Sequence, residues 1–425
     1  MIDIKRVENN PEESAELLSR KGVERVLIDM LLVKIEARRK AQQNKDNTRA
    51  EANSIAKSIS KLFIEGKKDD AEQAKLKGAE LKTKVTEYDA EFSRISDEIN
   101  ELLLNIPNFP DADAPVGKTE EDNVTLRVEG YNADDYKGRE FIPHWEIAEK
   151  LGLFDIERAA KTTGSMSVIF KGNGAKLLRA LVNLALDLHR ETYTEIIPPH
   201  FVNSATFTAT GHLPKFADDA YSVKDMDYFL IPTAEVPLTG MHRDEMLDET
   251  QLPLRYMAYS VCFRREAGAA GKDTRGLQRL HEFHKLELLR ICTAENIDSE
   301  FQALLADAEK TLKTLELPYR VVDLCTGDMT FTSSRVFDLE IYAPGLDKWL
   351  EASSCGKFTD YQARRGNIRY KDSKTKKPKF VNFINGSGLA VPRVYAAILE
   401  HGWNPEGFVM LPKSLQKYFG ADRIT

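Results

Sequence analysis

From residue 28 to residue 106 the chain contains no proline, and glycine stands only at Gly66 and Gly78. Over that stretch small and apolar residues return every three or four positions. On the C-terminal side they are Ala71, Ala74, Gly78, Leu81, Val85, Tyr88, Phe92, Ile95, Ile99 and Leu102. On the N-terminal side Ala37, Ala41, Asn44, Thr48, Ala52, Ile55, Ile59 and Leu62 do nearly the same, with one extra residue of drift. A seam sustained at this period marks a coiled coil. The breaker Glu65-Gly66-Lys67-Lys68 falls between the halves. The spacing therefore predicts two helices of about 35 residues folded back as an antiparallel pair, roughly 50 Å long at about 1.5 Å per residue. A shorter helix from Pro11 to Ser19 precedes them, with Asn10 as N-cap and Pro11 at its first position.

Charge is uneven along this hairpin. Lys34, Arg38, Arg39, Lys40, Lys45, Arg49, Lys57 and Lys61 dominate the first helix, against Glu36, Asp46 and Glu51. Lys67, Lys68, Lys75, Lys77, Lys82 and Lys84 continue near the tip, while the stretch from Glu87 to Glu101 is acidic. A stalk with a basic outer half suits a nucleic-acid backbone, held by phosphate contacts. Phe63 and Tyr88 fall on the seam, so recognition there would be by shape and backbone rather than by base stacking. A solvated coiled coil that joins two copies or spaces two domains has the same pattern. The residues alone leave both readings open.

Asn105 to Gly117 is rich in proline and has neither helical nor strand period. It divides the chain into residues 1–110, a helical arm, and residues 111–425, a larger domain. In the latter the pattern predicts a strand at Asn123–Val128, a helix around His144–Leu151, a strand at Met166–Lys171 and a helix at Gly174–Thr194. The fold class is α+β. With 425 residues there is room for two or three domains and a substantial core. No run of about 18 apolar residues occurs, so no membrane span is expected. The polar start MIDIKRVENNPEE lacks a secretion signal. Cys262, Cys292, Cys325 and Cys355 show no CxxC pairing and no neighbouring His pattern. Neither zinc nor a disulfide frame is expected, and a cytoplasmic setting is. A net charge of −7 argues against a protein basic all over but not against a local basic surface.

Chemistry concentrates in three places. The first is a predicted antiparallel hairpin: Tyr259–Phe263, a loop from Gly268 to Gly276, and a second strand carrying Leu280, Phe283, Leu286 and Leu288. Its strands hold Arg264, Glu266, Arg279 and Glu287. Guanidinium forks beside acceptor-only carboxylates suit a ligand with both phosphate and amine, although cross-strand ion pairs would use the same residues. The second is Phe229-Leu-Ile-Pro-Thr-Ala-Glu-Val-Pro-Leu, an apolar strand with one polar step at Thr233 and Glu235. That step suits a small hydroxylated amino acid; equally, Thr233 would serve as a helix N-cap with Glu235 in the first turn. The third holds Trp349-Leu-Glu-Ala-Ser-Ser-Cys-Gly and Phe383-Ile-Asn-Gly-Ser-Gly-Leu-Ala-Val-Pro-Arg393. Glu351 and Ser354 offer only oxygen ligands, as Mg²⁺ on phosphates prefers, and a surface turn is the plainer alternative. The second of these segments reads as strand, glycine turn and helix, with Arg393 at a phosphate-binding helix start.

FRREAG followed by GKDTRGLQRLHEFHKLE resembles the second signature motif of class II aminoacyl-tRNA synthetases, in the form used by seryl-tRNA synthetases. INGSGLAVPR resembles the third motif, and the segment from Gly174 to Pro199 the first, which lies at a subunit interface in that family. Met166 stands where relatives usually have a basic residue, and Pro392 where many bacterial ones have glycine. The resemblance extends over nearly the whole chain, because bacterial-type members carry a helical arm that embraces the long variable arm of tRNA. It implies a coiled-coil arm joined to an antiparallel-sheet catalytic domain with flanking helices, acting as a homodimer. It implies ATP-dependent activation of L-serine and transfer to tRNA(Ser); whether tRNA(Sec) is also served stays open. Carried over residue by residue, it assigns catalysis to Arg264 and Arg393, and serine contacts to Thr233, Glu235, Arg264, Glu287, Asn385 and Ser387. ATP contacts fall to Arg264, Arg265, Glu266, Arg279, Phe283, Glu351, Ala352, Ser353, Ser354 and Arg393, with Mg²⁺ on Glu351 and Ser354. The alternatives are a ligase loading a serine-like amino acid onto a non-tRNA acceptor, and an inactive RNA-binding homologue.

Overall fold

Gly66, at φ +75°, turns the chain between two long helices, a backbone conformation glycine adopts without steric cost. These are α3 (Arg25–Ile64, 40 residues) and α4 (Lys68–Leu104, 37 residues), preceded by α1 (Ile4–Asn9) and α2 (Pro11–Ser19). The structure is a computed structural model that describes residues 1–267 and 275–425. It divides into a unit spanning Asp3–Ile106 and a second made of Pro107–Thr425 with the first two residues.

Within the helical unit the seam of α4 lies where the period puts it as far as Ile99: Ala71, Leu81, Ile95 and Ile99 are buried, and Ala74, Gly78, Val85, Tyr88 and Phe92 half-buried. At its end Leu103 is fully buried while the expected Leu102 is half-buried. On α3 two positions differ, and the first is Phe63, expected on the seam but 45% exposed. At the second, Asn44 faces solvent and Lys45 takes the seam, its side chain only 12% exposed. Its stem covers the apolar groove, with the ammonium 3.0 Å from Asp89 and 4.6 Å from the Phe92 ring centre. The seam residue at this turn is thus a lysine doing an apolar residue's packing. Lys34–Glu98, Lys45–Asp89 and Glu51–Lys77 pair across the two helices and mark their antiparallel register. These mostly exposed pairs add little stability. Asn10 occupies the N-cap of α2 but makes no side-chain cap bond. α1, unforeseen in the sequence, is capped by the Asp3 carboxylate accepting from the Lys5 amide.

The second unit is built on an eight-stranded sheet. Its strands are β1 (Val124–Glu129), β2 (Thr194–Glu195), β3 (Leu254–Phe263), β4 (Glu282–Cys292), β5 (Tyr319–Asp323), β6 (Arg335–Ala343), β7 (Lys348–Thr359) and β8 (Asn382–Ala390). The spatial order is β1-β5-β6-β7-β8-β4-β3-β2, antiparallel throughout except β2 beside β3. Helices α5 (His144–Leu151), α6 (Asn173–His189), α8 (Ile297–Thr314) and α9 (Val391–Gly402) supply residues to the main core against one face. The short α7 (Glu235–Gly240) packs into a second cluster on the other face. α6 ends before the run Thr192-Tyr193-Thr194, whose β-branched and aromatic side chains suit the extended chain that follows. The strand expected at Met166–Lys171 contracts to Ile169–Phe170. Met166 itself has φ +53°, and its carbonyl accepts from the His281 amide at 2.9 Å.

Strand alternation decides what faces the site. On β4 the even positions Leu286 and Leu288 enter the main core, while Leu289 and Ile291 fill the second cluster on the opposite face. Phe283, Lys285 and Glu287 continue that opposite face and line a cleft. On β8, Asn385 and Ser387 line the same cleft, and the intervening glycines serve packing on the other side. A Cβ at Gly386 would lie 2.9 Å from both Cys355 Sγ and Leu304 Cδ2. The expected glycine turn is therefore a continuous strand, with glycine chosen for close approach of α8. The chain then enters α9 directly, Pro392 lying in its first turn.

Candidate active site

The cleft has a volume of about 380 Å³. At one end, Thr233 sits just before α7, and its hydroxyl is fully committed. It donates to Glu287 Oε2 at 2.7 Å and accepts from Lys285 Nζ at 2.8 Å and from the Glu235 amide at 3.2 Å. The N-cap of α7 is Ala234 rather than Thr233, which stands one residue earlier, satisfies the Glu235 amide and lines the cleft. Lys285 pairs directly with Glu287, and both are buried. Glu235 opens partly to the cleft, and Gln362 donates to it at 2.6 Å. Its enclosure, and then the nearby Glu287 charge, push its carboxyl up to about 7. Asn385 lies close enough to favour the anion, yet its Nδ2 makes no regular hydrogen bond.

Arg264 follows β3 at the middle of the cleft. Its amide is fixed by the His281 carbonyl at 2.9 Å, and its guanidinium lies 5.1 Å over the Phe283 ring. It makes no ion pair with a described residue. Glu266, in the left-handed region at φ +53°, is paired with Arg279 at 2.7 Å. His212 lines the same wall and is driven down to about 3 by burial, then by the Arg264 and Lys285 charges, so it is neutral at pH 7.

Two oxygen-bearing groups and an arginine form the far end. Glu351 and Ser354 both face the cleft. Simple alternation would put residues three apart on opposite faces. A bulge intervenes: Leu339 pairs with Ser353 and Glu340 with Glu351, leaving Ala352 unpaired. Arg393 donates to the Glu351 carbonyl at 2.8 Å and lies 3.3 Å from its carboxylate. Asp338, beside Ser354 on β6, is buried, and its Oδ1 has no partner. Burial and then the Glu351 charge hold its carboxyl well above the usual range.

Three of the expected residues direct their side chains elsewhere. Ala352 belongs to the main core, and the buried Ser353 hydroxyl donates to the Ser387 carbonyl at 2.7 Å, so neither side chain reaches the cleft. Arg265 turns outward and donates to the Asp218 carbonyl at 2.9 Å, tying down a neighbouring turn. The glycine-bearing loop from Gly268 to Thr274 lies outside the described residues. Conversely, Lys285, His212, Gln362 and Asp338 escaped the sequence reading. Lys285 carried a signal, since it alternates with Phe283 and Glu287 on one strand face. All four cysteines are free and buried.

The antiparallel sheet with this cleft is that of a class II aminoacyl-tRNA synthetase: residues 220–402 match the family model described as tRNA synthetase class II core domain (G, H, P, S and T). Residues 1–110 match the seryl-tRNA synthetase N-terminal domain. A serine–tRNA ligase of Synechococcus is 43% identical, the match covering 100% of both chains. The crystal structure of seryl-tRNA synthetase from Pyrococcus horikoshii complexed with ATP superposes with a TM-score of 0.94 at 35% identity, over 100% of this chain and 99% of that one. A cytoplasmic serine–tRNA ligase from Naegleria fowleri in complex with AMP gives a TM-score of 0.87 at 28% identity, over 98% and 96%. The chain belongs to the seryl-tRNA synthetase family.

Proposed function

We propose that the protein activates L-serine with ATP and transfers it to tRNA(Ser). One observation carries this reading: a small polar pocket with an unmatched donor opens, within a single cleft, onto an arginine that no described residue ion-pairs. Serine's ammonium sits between Glu287, which Thr233 and Lys285 hold in place, and Glu235, which Gln362 holds. The Asn385 Nδ2, orphaned in the structure, meets the serine hydroxyl, with Ser387 beside it. Serine's carboxylate attacks the α-phosphorus of ATP; an acyl–phosphate bond forms as the bond to pyrophosphate breaks. The side chains position and neutralise rather than bond covalently. A purine stacked on Phe283 displaces the Arg264 guanidinium from that face toward the α-phosphate, while Glu266 and Arg279 border the base. Arg393 reaches the distal phosphates. The terminal ribose hydroxyl of tRNA then takes the seryl group and releases AMP.

Among the described residues no three His, Cys, Asp or Glu side chains are grouped to hold a metal. Glu351 and Ser354, which line the cleft, and the buried Asp338 beside Ser354, whose Oδ1 has no partner, are nonetheless hard oxygen donors. They fit Mg²⁺, which keeps waters and phosphate oxygens as its remaining ligands. When bound there, the ion supplies charge neutralisation to the triphosphate. The proposal also takes the protein to be a cytoplasmic homodimer, with residues 1–110 gripping tRNA and residues 111–425 performing the chemistry.

Serine-dependent exchange of pyrophosphate into ATP, run beside threonine, alanine and glycine, tests the reading. Alanine leaves the pocket's polar groups unpaired, and a site that hydrogen-bonds a hydroxyl rejects such analogues by factors on the order of 10³ or more. Equal exchange with serine and alanine would overturn it.

The raised Glu235 carboxyl gives a second expectation. Its folded-state value of about 7 lies above the ordinary 4.5, so folding favours the protonated form. That contribution is complete below about pH 4.5 and is lost as pH rises through 7. Above pH 7 the folded chain holds an enclosed carboxylate beside the Glu287 charge, and an ammonium ligand relieves it. Glu235→Gln is therefore expected to lie within about 1 kcal/mol of the unaltered protein in stability near pH 5 and to exceed it by about 3 kcal/mol at pH 8 without serine. It should also raise KM for serine at least about tenfold. Thermal unfolding at both pH values, with and without serine, reads the first effect. A variant no more stable at pH 8 than at pH 5, relative to the unaltered protein, would refute it.

A further inference from the structure

A buried pair outside the cleft holds one of its walls. His144, the first residue of α5, and Glu400 of α9 are both fully buried. Glu400 Oε1 accepts from the His144 amide at 3.0 Å and from its Nδ1 at 2.8 Å, and Oε2 accepts from the Gly345 amide at 2.9 Å. The other ring nitrogen, Nε2, accepts from the Leu277 amide at 3.0 Å. An amide N–H can only donate, so Nε2 carries no proton and Nδ1 carries one. The bonds therefore select a single neutral tautomer.

The chain approaching β4 is fitted to this ring. Gly276 has φ +62°, and a Cβ there would lie 2.3 Å from His144 Nε2 and 2.7 Å from Trp145 Cε3. Arg275 lies 5.1 Å over the Trp145 ring. Leu277, Gln278, Arg279 and Leu280 come next and line the cleft, and Arg279 pairs with Glu266. The seated limb therefore borders the nucleotide side. The serine pocket is held by different bonds, among Thr233, Glu235, Lys285 and Glu287. Well-packed hydrophobic residues often replace a buried polar pair without loss of stability, so stability alone does not account for this one.

We propose that His144, oriented by Glu400, is a positioning residue for ATP: it fixes the Leu277 amide and so sets where Arg279 and its neighbours meet the nucleotide. The proposal rests on the activity assigned above. Two substitutions separate its two bonds. His144→Asn retains a donor where Nδ1 stood, facing Glu400, but leaves no acceptor at the Leu277 amide. His144→Gln places an acceptor where Nε2 stood and keeps that bond.

In serine-dependent pyrophosphate exchange, His144→Asn is expected to raise KM for ATP about tenfold, as a buried donor loses its partner. KM for serine should stay within about twofold, and His144→Gln should stay within about threefold for both substrates. Gly276→Ala, which crowds the ring from the other side, should reproduce the ATP-selective increase and serves if the asparagine variant fails to fold. Asn and Gln variants that behave alike, KM values for both substrates rising together, or a Gly276→Ala enzyme with unchanged KM for ATP would each overturn the proposal while leaving the assigned activity intact. Absence of serine-dependent exchange in the unaltered protein would sink both.

Discussion

Replacing Arg264 by alanine is expected to slow serine-dependent pyrophosphate exchange at least about a hundredfold, with the loss in kcat rather than in KM for serine. The expectation follows from how the neighbouring cations are used. Arg279 is paired with Glu266, Arg393 is engaged by Glu351, Lys285 by Glu287, and Arg265 donates to the Asp218 carbonyl. Among the described residues, Arg264 is the cleft arginine without a carboxylate, resting only on the face of Phe283. Its backbone is pinned by the His281 carbonyl, so the guanidinium swings from a fixed root. Charge builds on the α-phosphate oxygens as the carboxylate attacks, and a preorganised donor aimed there typically contributes about 10²–10³ in rate. Arg264→Lys should recover little, because an ammonium cannot make the planar fork that a phosphate accepts. Near-normal exchange by the alanine variant would remove Arg264 from the transition state.

What the sequence disclosed, and what it hid, follows from the reach of each signal. The helical pair was legible because a seam of period three and four is a local property, and only Gly66 interrupts it. Asn44 was misplaced because a polarity pattern cannot see that the long Lys45 stem packs as a hydrophobe. The hairpin of β3 and β4 was legible from its alternation, and its charged residues from their density. Glu351 and Ser354 share a face only through the bulge at Ala352, which depends on the partner strand. Glycine at 386 and 388 signals a turn and a close approach equally well, and only the position of α8 decides between them. His144 and Glu400 stand 256 residues apart and lack any local pattern, so their pairing exists only in the folded chain. Function was more legible than this implies, because the motifs resemble a known family over nearly the whole length.

Shortening the arm should divide the two half-reactions. Lys45 and Asp89 face each other at 3.0 Å, so removing residues 46–88 and joining the ends by a short turn leaves a smaller hairpin in register. Its retained seam includes Ile28, Leu31, Ile35 and Ala41 on one helix and Ile95, Ile99 and Leu103 on the other, all buried. The excised part carries the exposed Lys57, Lys61, Lys67, Lys68, Lys75, Lys82 and Lys84. Pyrophosphate exchange needs only ATP and the amino acid, and it should stay within about twofold. Charging needs tRNA. Losing several lysine–phosphate contacts, each of which releases a counterion, should lower kcat/KM for tRNA about a hundredfold or more. The same logic fixes a salt signature: log(kcat/KM) for tRNA should fall steeply with log[salt] in the unaltered protein and much less steeply in the shortened one. Equal loss of exchange and charging would show that the arm supports the catalytic unit itself. Undiminished charging would show that the basic outer half is a solvated face and that tRNA is gripped elsewhere.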